Sequence, residues 1–146
     1  MSEQEVKGKI IKTAHFGELE VKDNNVFKFP DGLLGFEDLN DYVLVSHEDT
    51  APLKWLISID EPNIGFPLIS PFIIDLSYQP GKKINLEKDA VFVVVTLGNK
   101  NREMTANMKA PIVLQVDTRE GRQVVMSSEK YSTREKVIKD KPQGEE

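Results

Sequence analysis

Hydrophobic side chains recur at every second position along much of this chain. Leu19 and Val21 alternate with charged residues, and Phe27 and Phe29 continue the alternation around Lys28. Successive side chains of a β-strand point to opposite faces of its sheet, so this period indicates strands with one face in water. The alternation predicts a mostly β fold.

Further strand signals recur along the chain, separated by short links rich in turn-forming residues. Strands are predicted at residues 18–22, 27–29, 42–45, 53–59, 91–97, 104–108, 112–116 and 123–126. Residues 98–101 and 117–121 are predicted as the turns of a meander of two hairpins. This arrangement predicts a single antiparallel β-barrel or sandwich-like domain with little helix.

Three segments carry more specific predictions. Residues 23–25 (Asp-Asn-Asn) have the chemistry of a hairpin turn, because Asn tolerates a positive φ. The run 91–95 lacks alternation and is predicted to be a central strand with both faces covered. Trp55 shares a strand face with Leu53 and Ile57, which favours a place in the core.

The remaining segments are predicted from proline and capping signals. Pro67 and Pro71 bracket residues 68–70, which are therefore not expected inside a sheet. Residues 35–39 are expected to form one helical turn. A capping box at 132–135 predicts a short helix through residue 138. The domain is expected to span residues 1–138, and residues 139–146 are expected to form a mobile charged tail.

The chain contains few groups suited to catalysis or metal binding. It has no cysteine, and its two histidines, His15 and His47, have no second ligand at metal-binding spacing. The adjacent acids Glu37 and Asp38, like Asp60 and Glu61, lie in turn-like segments and point in different directions, which disfavours acid–base catalysis. We expect no enzyme activity, no metal and no cofactor.

Charge and hydropathy bear on the partners and the compartment. The formal net charge is −5, which argues against direct nucleic-acid binding, because that affinity comes from clustered Lys and Arg. An acidic surface either favours a basic protein partner or simply keeps the protein in solution. The acidic residues at the start of the chain predict that there is no signal peptide. The longest apolar run, 91–95, is too short to span a membrane, so we expect a cytoplasmic protein.

Residues 29–38, which we call the glycine loop, join apolar, Gly and Pro residues to an acidic end. Gly32 and Gly35 supply conformations that other residues resist. One interpretation is a turn that only connects strands; the other is a docking surface. On the second interpretation Gly32, Leu33 and Phe36 contact a partner, and the acids Glu37, Asp38, Asp60 and Glu61 form a rim for a basic partner.

A second break in the strand pattern occurs between Asn107 and Pro111. The Asn107 side chain is suited to satisfy backbone groups freed at the break, and Pro111 suits the first position of the next strand. The alternative interpretation is that the break exposes Met108 and Ala110 as a shallow apolar contact.

The order and spacing of several segments resemble the flagellar assembly factor FliW family. They are residues 16–21, 29–37, 57–60, 66–72, 105–114 and 123–126, with Tyr131. The resemblance implies a non-enzymatic, mostly β protein that binds newly made flagellin and also binds the RNA-binding translational repressor CsrA. Flagellin that accumulates would occupy the protein and leave CsrA free to repress flagellin translation. A small-ligand-binding β-barrel is the alternative function.

Overall fold

A computed structural model describes residues 9–98 and 103–137 of the chain. The strands of this part are numbered in chain order, and one short helix, α1 (Pro71–Ile74), follows β6. Their bounds are β1 Lys9–Thr13, β2 Gly17–Val21, β3 Val26–Lys28, β4 Asp41–Ser46, β5 Lys54–Ser58, β6 Gly65–Ile69, β7 Asp89–Thr96, β8 Thr105–Ala106, β9 Ile112–Gln115, β10 Glu120–Gln123 and β11 Glu135–Lys136.

Seven of these strands close into a barrel. The order is β7-β6-β5-β4-β3-β10-β9, and β9 pairs again with β7. All of these pairings are antiparallel except that of β10 with β3, which is parallel and joins Glu120 to Lys28. The predicted mostly β, barrel-like fold is confirmed, and the parallel pairing makes the barrel mixed.

The interior of the barrel is packed with the alternate side chains of its strands. Phe29, Tyr42, Leu56, Leu68 and Ile112 are each fully buried and belong to one apolar cluster. Burying large apolar side chains in this way is the main favourable term in folding, at roughly 1.5–3 kcal/mol for each. The alternation seen in the sequence therefore corresponds to the inner face of the barrel.

The hairpin of β1 and β2 covers the outer face of β4 and β5. Ile11 and Val21 pack there against Val43, Trp55 and Ile57 in a second apolar cluster. Trp55 is 5% exposed, so its predicted place in the core is confirmed. Both faces of β5 are covered, because Leu56 points into the barrel while its neighbours point into this outer cluster.

The hairpin predicted around residues 23–25 is wrong. These residues form a 3-10 turn, but β2 pairs with β1 and β3 pairs with β4. Val21 and Phe27 bury their side chains in different clusters, one outside and one inside the barrel. The chain therefore changes layer at this turn instead of folding back along the same sheet.

The prediction that residues 68–70 lie outside the sheet is also wrong, because Leu68 and Ile69 belong to β6 and pair with β7. Pro67 lies within β6, opposite Trp55 of β5. On its other side β6 pairs with β7 only through Leu68 and Ile69, so the ladder ends before Pro67 and requires no N–H from it. By contrast, β7 is a central strand, as predicted, because it pairs with β6, β8 and β9. Its side chains are buried at Val91, Val93 and Val95 on one face, and Phe92 on the other face is half-buried.

The predicted C-terminal helix is replaced by a strand. Ser132 accepts a hydrogen bond from the Arg134 backbone N–H at 2.9 Å, and the chain then forms β11, which pairs with β8. Residues 35–39 form turns rather than a helix. Residues 139–146 and the outer limits of the predicted 1–138 domain lie outside the described residues and stay predictions. Within the described part, none of the helices has the length and hydropathy needed to cross a membrane.

Candidate functional site

The glycine loop is a compact turn fixed by backbone hydrogen bonds. Leu33 and Phe36 form a bridge in which the Phe36 N–H donates to the Leu33 carbonyl at 2.7 Å, and the Gly32 N–H donates to the Phe29 carbonyl at 2.9 Å. Gly32 has a φ of +66°, and a Cβ placed on it would lie 2.5 Å from the Phe36 carbonyl oxygen. Only glycine fits this position without displacing the backbone.

Two polar side chains close the ends of the loop. The Asn40 Nδ2 donates to the Phe29 carbonyl at 2.8 Å, and the Glu37 carboxylate accepts from the Gly35 N–H at 3.1 Å. Phe36 is half-buried with its ring 5.1 Å from that of Phe66, edge to face. The loop is thus held against β6 by an aromatic contact and at its base by hydrogen bonds.

The segment after β8 has the structural role that the sequence predicts. The Asn107 Oδ1 accepts from the Lys109 N–H at 3.1 Å, and the Asn107 N–H donates to the Val94 carbonyl at 2.9 Å. Pro111 immediately precedes β9, where its missing N–H costs no ladder bond. Asn107 therefore satisfies backbone groups at the break between two strands.

The alternative interpretation, in which the break exposes Met108 and Ala110, is wrong. Met108 is 1% exposed and Ala110 is 2% exposed. Met108 belongs to an apolar cluster on the outside of β6, β7 and β8, and its carbonyl accepts a hydrogen bond from the Tyr78 hydroxyl at 2.7 Å. Burial, with a smaller contribution from nearby Tyr131, raises the pKa of Tyr78. The break turns these side chains inward because only the interior removes their apolar surface from water.

A glutamine that the sequence did not single out joins the two segments. The Gln123 Oε1 accepts from the Leu34 N–H at 2.9 Å, and its Nε2 donates to the Ala110 carbonyl at 3.1 Å. Leu34 and Gln123 are 89 positions apart. In the sequence Gln123 is only a polar residue ahead of the apolar run Val124, Val125 and Met126, and that pattern gives no indication of either partner.

The loop and the break border one groove of about 790 Å³, which we call the leucine groove. Its apolar side holds Leu34 and Leu97, exposed at 57% and 45%, beside half-buried Phe66 and Val94. Its lining is Leu33, Leu34, Phe66, Val94, Thr96, Leu97, Glu103, Thr105, Asn107, Gln123, Thr133, Arg134 and Lys136. The groove thus combines exposed leucines with a polar rim, as protein-binding surfaces do.

The predicted binding residues divide between this groove and other places. Leu33 and Asn107 line it, although Leu33 is only 3% exposed and serves mainly as core. Gly32 is buried within the glycine loop, and Phe36 packs against Phe66, which lines the groove. The four acids of the predicted rim, which are Glu37, Asp38, Asp60 and Glu61, are exposed but lie outside the lining of the groove.

The two pairs of acids occupy different turns. Glu37 and Asp38 end the glycine loop, whereas Asp60 and Glu61 follow β5, where the Glu61 N–H donates to the Ser58 hydroxyl at 2.9 Å. All four side chains are exposed, so their negative charges attract a cationic surface.

The histidines are less isolated than the sequence indicates. The His15 ring lies 4.8 Å from Trp55, and the His47 ring stacks on Phe16 at 5.5 Å, so both flank one aromatic cluster. The His47 Nδ1 accepts from the Asp49 N–H at 3.1 Å. Within residues 9–98 and 103–137, no three His, Cys, Asp or Glu side chains converge as metal ligands would.

Comparisons with known proteins agree with this arrangement. The model of the FliW protein family matches residues 9–137. The flagellar assembly factor FliW of Thermosipho africanus is 33% identical over 131 residues, covering 83% of this chain and 90% of that protein. The protein of the same name from Leptospira interrogans serovar Lai is 34% identical over 138 residues, covering 88% of this chain and 92% of that protein.

A solved structure gives the same result for the fold. The crystal structure of a flagellar assembly factor FliW superposes with a TM-score of 0.83 at 29% identity, covering 92% of this chain and all of that one. The matched residues include the whole barrel, the glycine loop and every residue that lines the leucine groove. The chain therefore belongs to the FliW family of flagellar assembly factors.

Proposed function

We propose that this protein is a non-enzymatic regulator in the cytoplasm that binds flagellin and, when free of flagellin, binds and removes the translational repressor CsrA. The observation that carries the proposal is the leucine groove. Leu34 of the glycine loop and Leu97 keep about half of their surface exposed, and covering such apolar surface with a partner is favourable because it removes that surface from water.

We assign flagellin to the leucine groove. The terminal segments of flagellin are amphipathic and helix-prone, so they can place an apolar face against Leu34 and Leu97. The polar lining of the groove, which includes Asn107 and Gln123, is available to the backbone and polar side chains of the bound segment. The rigid loop presents Leu34 without a large ordering cost, because Gln123 already fixes its backbone.

We assign CsrA to the acidic turns. A basic RNA-binding protein is attracted by exposed carboxylates, and the four acids Glu37, Asp38, Asp60 and Glu61 offer them. The chain's net charge of −5 adds long-range steering of the same sign.

Competition between the two partners requires no catalysis. A protein that binds two partners exclusively changes from one to the other as their free concentrations cross the respective dissociation constants. Accumulated flagellin would then hold this protein and leave CsrA free to repress translation, and export of flagellin would reverse the effect.

The flagellin assignment is tested with Leu34→Asp and a matched control, Val116→Asp. Both residues are 57% exposed, and Val116 lies outside the groove. Titration calorimetry with purified flagellin should show at least about tenfold weaker binding for Leu34→Asp and unchanged binding for Val116→Asp, since tenfold corresponds to only 1.4 kcal/mol. Equal binding by both variants would remove the groove from the flagellin site.

The CsrA assignment is tested with a variant that combines four neutral substitutions, Glu37→Gln, Asp38→Asn, Asp60→Asn and Glu61→Gln. The Gln at position 37 keeps an oxygen for the Gly35 N–H, so the loop is preserved. CsrA binding should weaken and lose most of its salt dependence. The control neutralises four exposed acids elsewhere, at Glu18, Glu20, Glu48 and Glu87. If both quadruple variants behave alike, only the net charge matters and these turns are not the CsrA site.

The small-ligand alternative receives little support from the barrel. A ligand-binding barrel needs room among its inward side chains. Here Tyr42, Leu56 and Leu68 are fully buried and packed in one apolar cluster with Phe29 and Ile112. The larger grooves, including the leucine groove, lie on the surface instead.

A further inference from the structure

A second groove, which we call the lysine shelf, lies between the loop 78–86 and the segment 124–131. Its volume is about 860 Å³. Its lining includes Tyr78, Lys82, Lys83, Leu86, Val125 and Lys130 and shares no residue with that of the leucine groove. Gln123 belongs to the leucine groove and Val124 to the shelf, so the chain passes from one groove to the other between two successive residues.

The shelf has a fixed base. The Tyr78 and Tyr131 rings lie 4.6 Å apart, and the Tyr131 hydroxyl accepts from the Gln79 N–H at 2.8 Å. The Lys130 ammonium donates to the Gln79 Oε1 at 3.1 Å and lies 5.5 Å from the centre of the Tyr131 ring. These contacts join the loop to the segment, so the surface is formed before any partner arrives.

The surface of the shelf is both apolar and basic. Leu86 and Val125 are 53% and 57% exposed. Lys82, Lys83 and Lys130 line the shelf, whereas its lining contains neither Asp nor Glu. Among the described residues, neither Lys82 nor Lys83 has a carboxylate within ion-pair distance.

The sign of this charge is opposite to that of the whole protein, which is −5. The Arg122 guanidinium adds a further cation at the back of the loop, where it donates to the Lys83 carbonyl at 3.3 Å. Like charges gathered without counter-ions cost free energy that an oppositely charged partner recovers. A basic partner such as CsrA would be repelled here, so the shelf requires a different occupant.

We propose that the lysine shelf docks an acidic amphipathic segment of a partner protein. Apolar side chains of that segment cover Leu86 and Val125, and its carboxylates pair with Lys82, Lys83 and Lys130. The positive charge of the shelf favours a segment with negative charge. The exposed side chains of Leu86 and Val125 provide apolar surface that the segment can bury. This surface is separate from the two proposed above, so its failure would leave the flagellin and CsrA assignments intact.

The experiment uses two fluorescein-labelled synthetic peptides with the same leucine positions, one with Glu and one with Lys at the polar positions. Fluorescence anisotropy should show binding of the Glu peptide, weakening as salt is added, and no binding of the Lys peptide. Lys82→Glu with Lys83→Glu should weaken Glu-peptide binding by at least about tenfold.

The matched control is Lys9→Glu with Lys22→Glu, which changes the net charge equally at two exposed lysines, one at the start of β1 and one directly after β2. It should change the affinity by less than about twofold, as distant surface charges are screened. A second pair tests the apolar part: Leu86→Ser should weaken binding, whereas Ile10→Ser, 60% exposed on β1, should not.

Several results would overturn the proposal. These are equal binding of both peptides, binding of neither, or equal weakening by the two lysine pairs. Binding to vesicles of anionic lipid in place of the Glu peptide would assign the shelf to a membrane. Self-association that Lys82→Glu with Lys83→Glu abolishes, without peptide binding, would assign it to a second copy of the chain.

Discussion

Replacing Gly32 by Ala should destabilise the protein far more than the same change at Gly35. Both glycines have positive φ, +66° and +84°, so an alanine is strained at either position. A Cβ at Gly35 meets nothing within 4 Å, whereas at Gly32 it would lie 2.5 Å from the Phe36 carbonyl oxygen and 2.6 Å from the Glu37 Cα. The pair therefore separates backbone strain from steric overlap.

The magnitudes follow from these two terms. The left-handed conformation costs an alanine about 1–2 kcal/mol, which is all that Gly35→Ala should lose. At Gly32 the overlap is with backbone atoms, which move only if the loop opens. Opening breaks the bond from Gly32 to Phe29 and the bond from Phe36 to Leu33, at 2.9 and 2.7 Å. Each is worth about 1 kcal/mol net, so Gly32→Ala should cost about 3–4 kcal/mol in all.

Urea unfolding followed by the fluorescence of Trp55, the single tryptophan, measures both changes. Trp55 is 5% exposed in the outer cluster, so its emission reports loss of the fold rather than of the loop. We expect a difference of about 2 kcal/mol between the variants with equal m-values. Costs that agree within about 0.5 kcal/mol would show that the overlap is not real and would refute the argument for Gly32.

Four further measurements test the core and the link between segments. The Tyr42 hydroxyl is buried without a hydrogen-bond partner among the described residues, so Tyr42→Phe should cost no stability, whereas Tyr78→Phe should cost about 1–2 kcal/mol in urea unfolding. Burial disfavours the ionised form of Tyr42 in the folded protein and raises its pKa from 10.0 to about 12. The unfolded chain therefore loses this proton first, and stability should be unaffected by the group below pH 10 and decline as the pH rises to 12; Tyr42→Phe should flatten that decline measured from pH 9 to 12. Met108→Asp should unfold the domain, seen as loss of the thermal transition, because it buries a charge in an apolar cluster; a folded variant would contradict the assignment to the core. Gln123→Ala should cost about 1–3 kcal/mol and weaken flagellin binding as well; unchanged binding by the folded variant would show that its bond to Leu34 does not shape the site.

The sequence predicts the β class and a barrel or sandwich-like domain because side-chain alternation is a local property. Leu19 with Val21, and Phe27 with Phe29, show which residues must leave water, and period two leaves only the strand to satisfy them. The structural role of Asn107 is also predictable, since its bond to the Lys109 N–H spans only two residues.

The pairing of the strands is decided by the tertiary structure alone. Val21 and Phe27 lie in the same alternating pattern of apolar and polar residues, yet Val21 packs in the outer cluster and Phe27 inside the barrel. The turn between them is therefore not a hairpin. Pro67 is tolerated in the sheet because the ladder from β7 ends beside it. Both outcomes depend on neighbours distant in sequence, which alternation along one segment does not contain.

The candidate site is likewise only partly predictable from the sequence. In the sequence, Gly32 indicates a loop and Asn107 indicates a break between strands. Nothing in the sequence distinguishes Gln123, because its amide contacts Leu34 and Ala110 only in the folded structure. The free energy that makes Gln123 important comes from satisfying two backbone groups that are far apart in the chain. Such groups become neighbours only when the barrel closes, so the sequence by itself determined the kind of fold, and the tertiary structure decided which side chains form the groove.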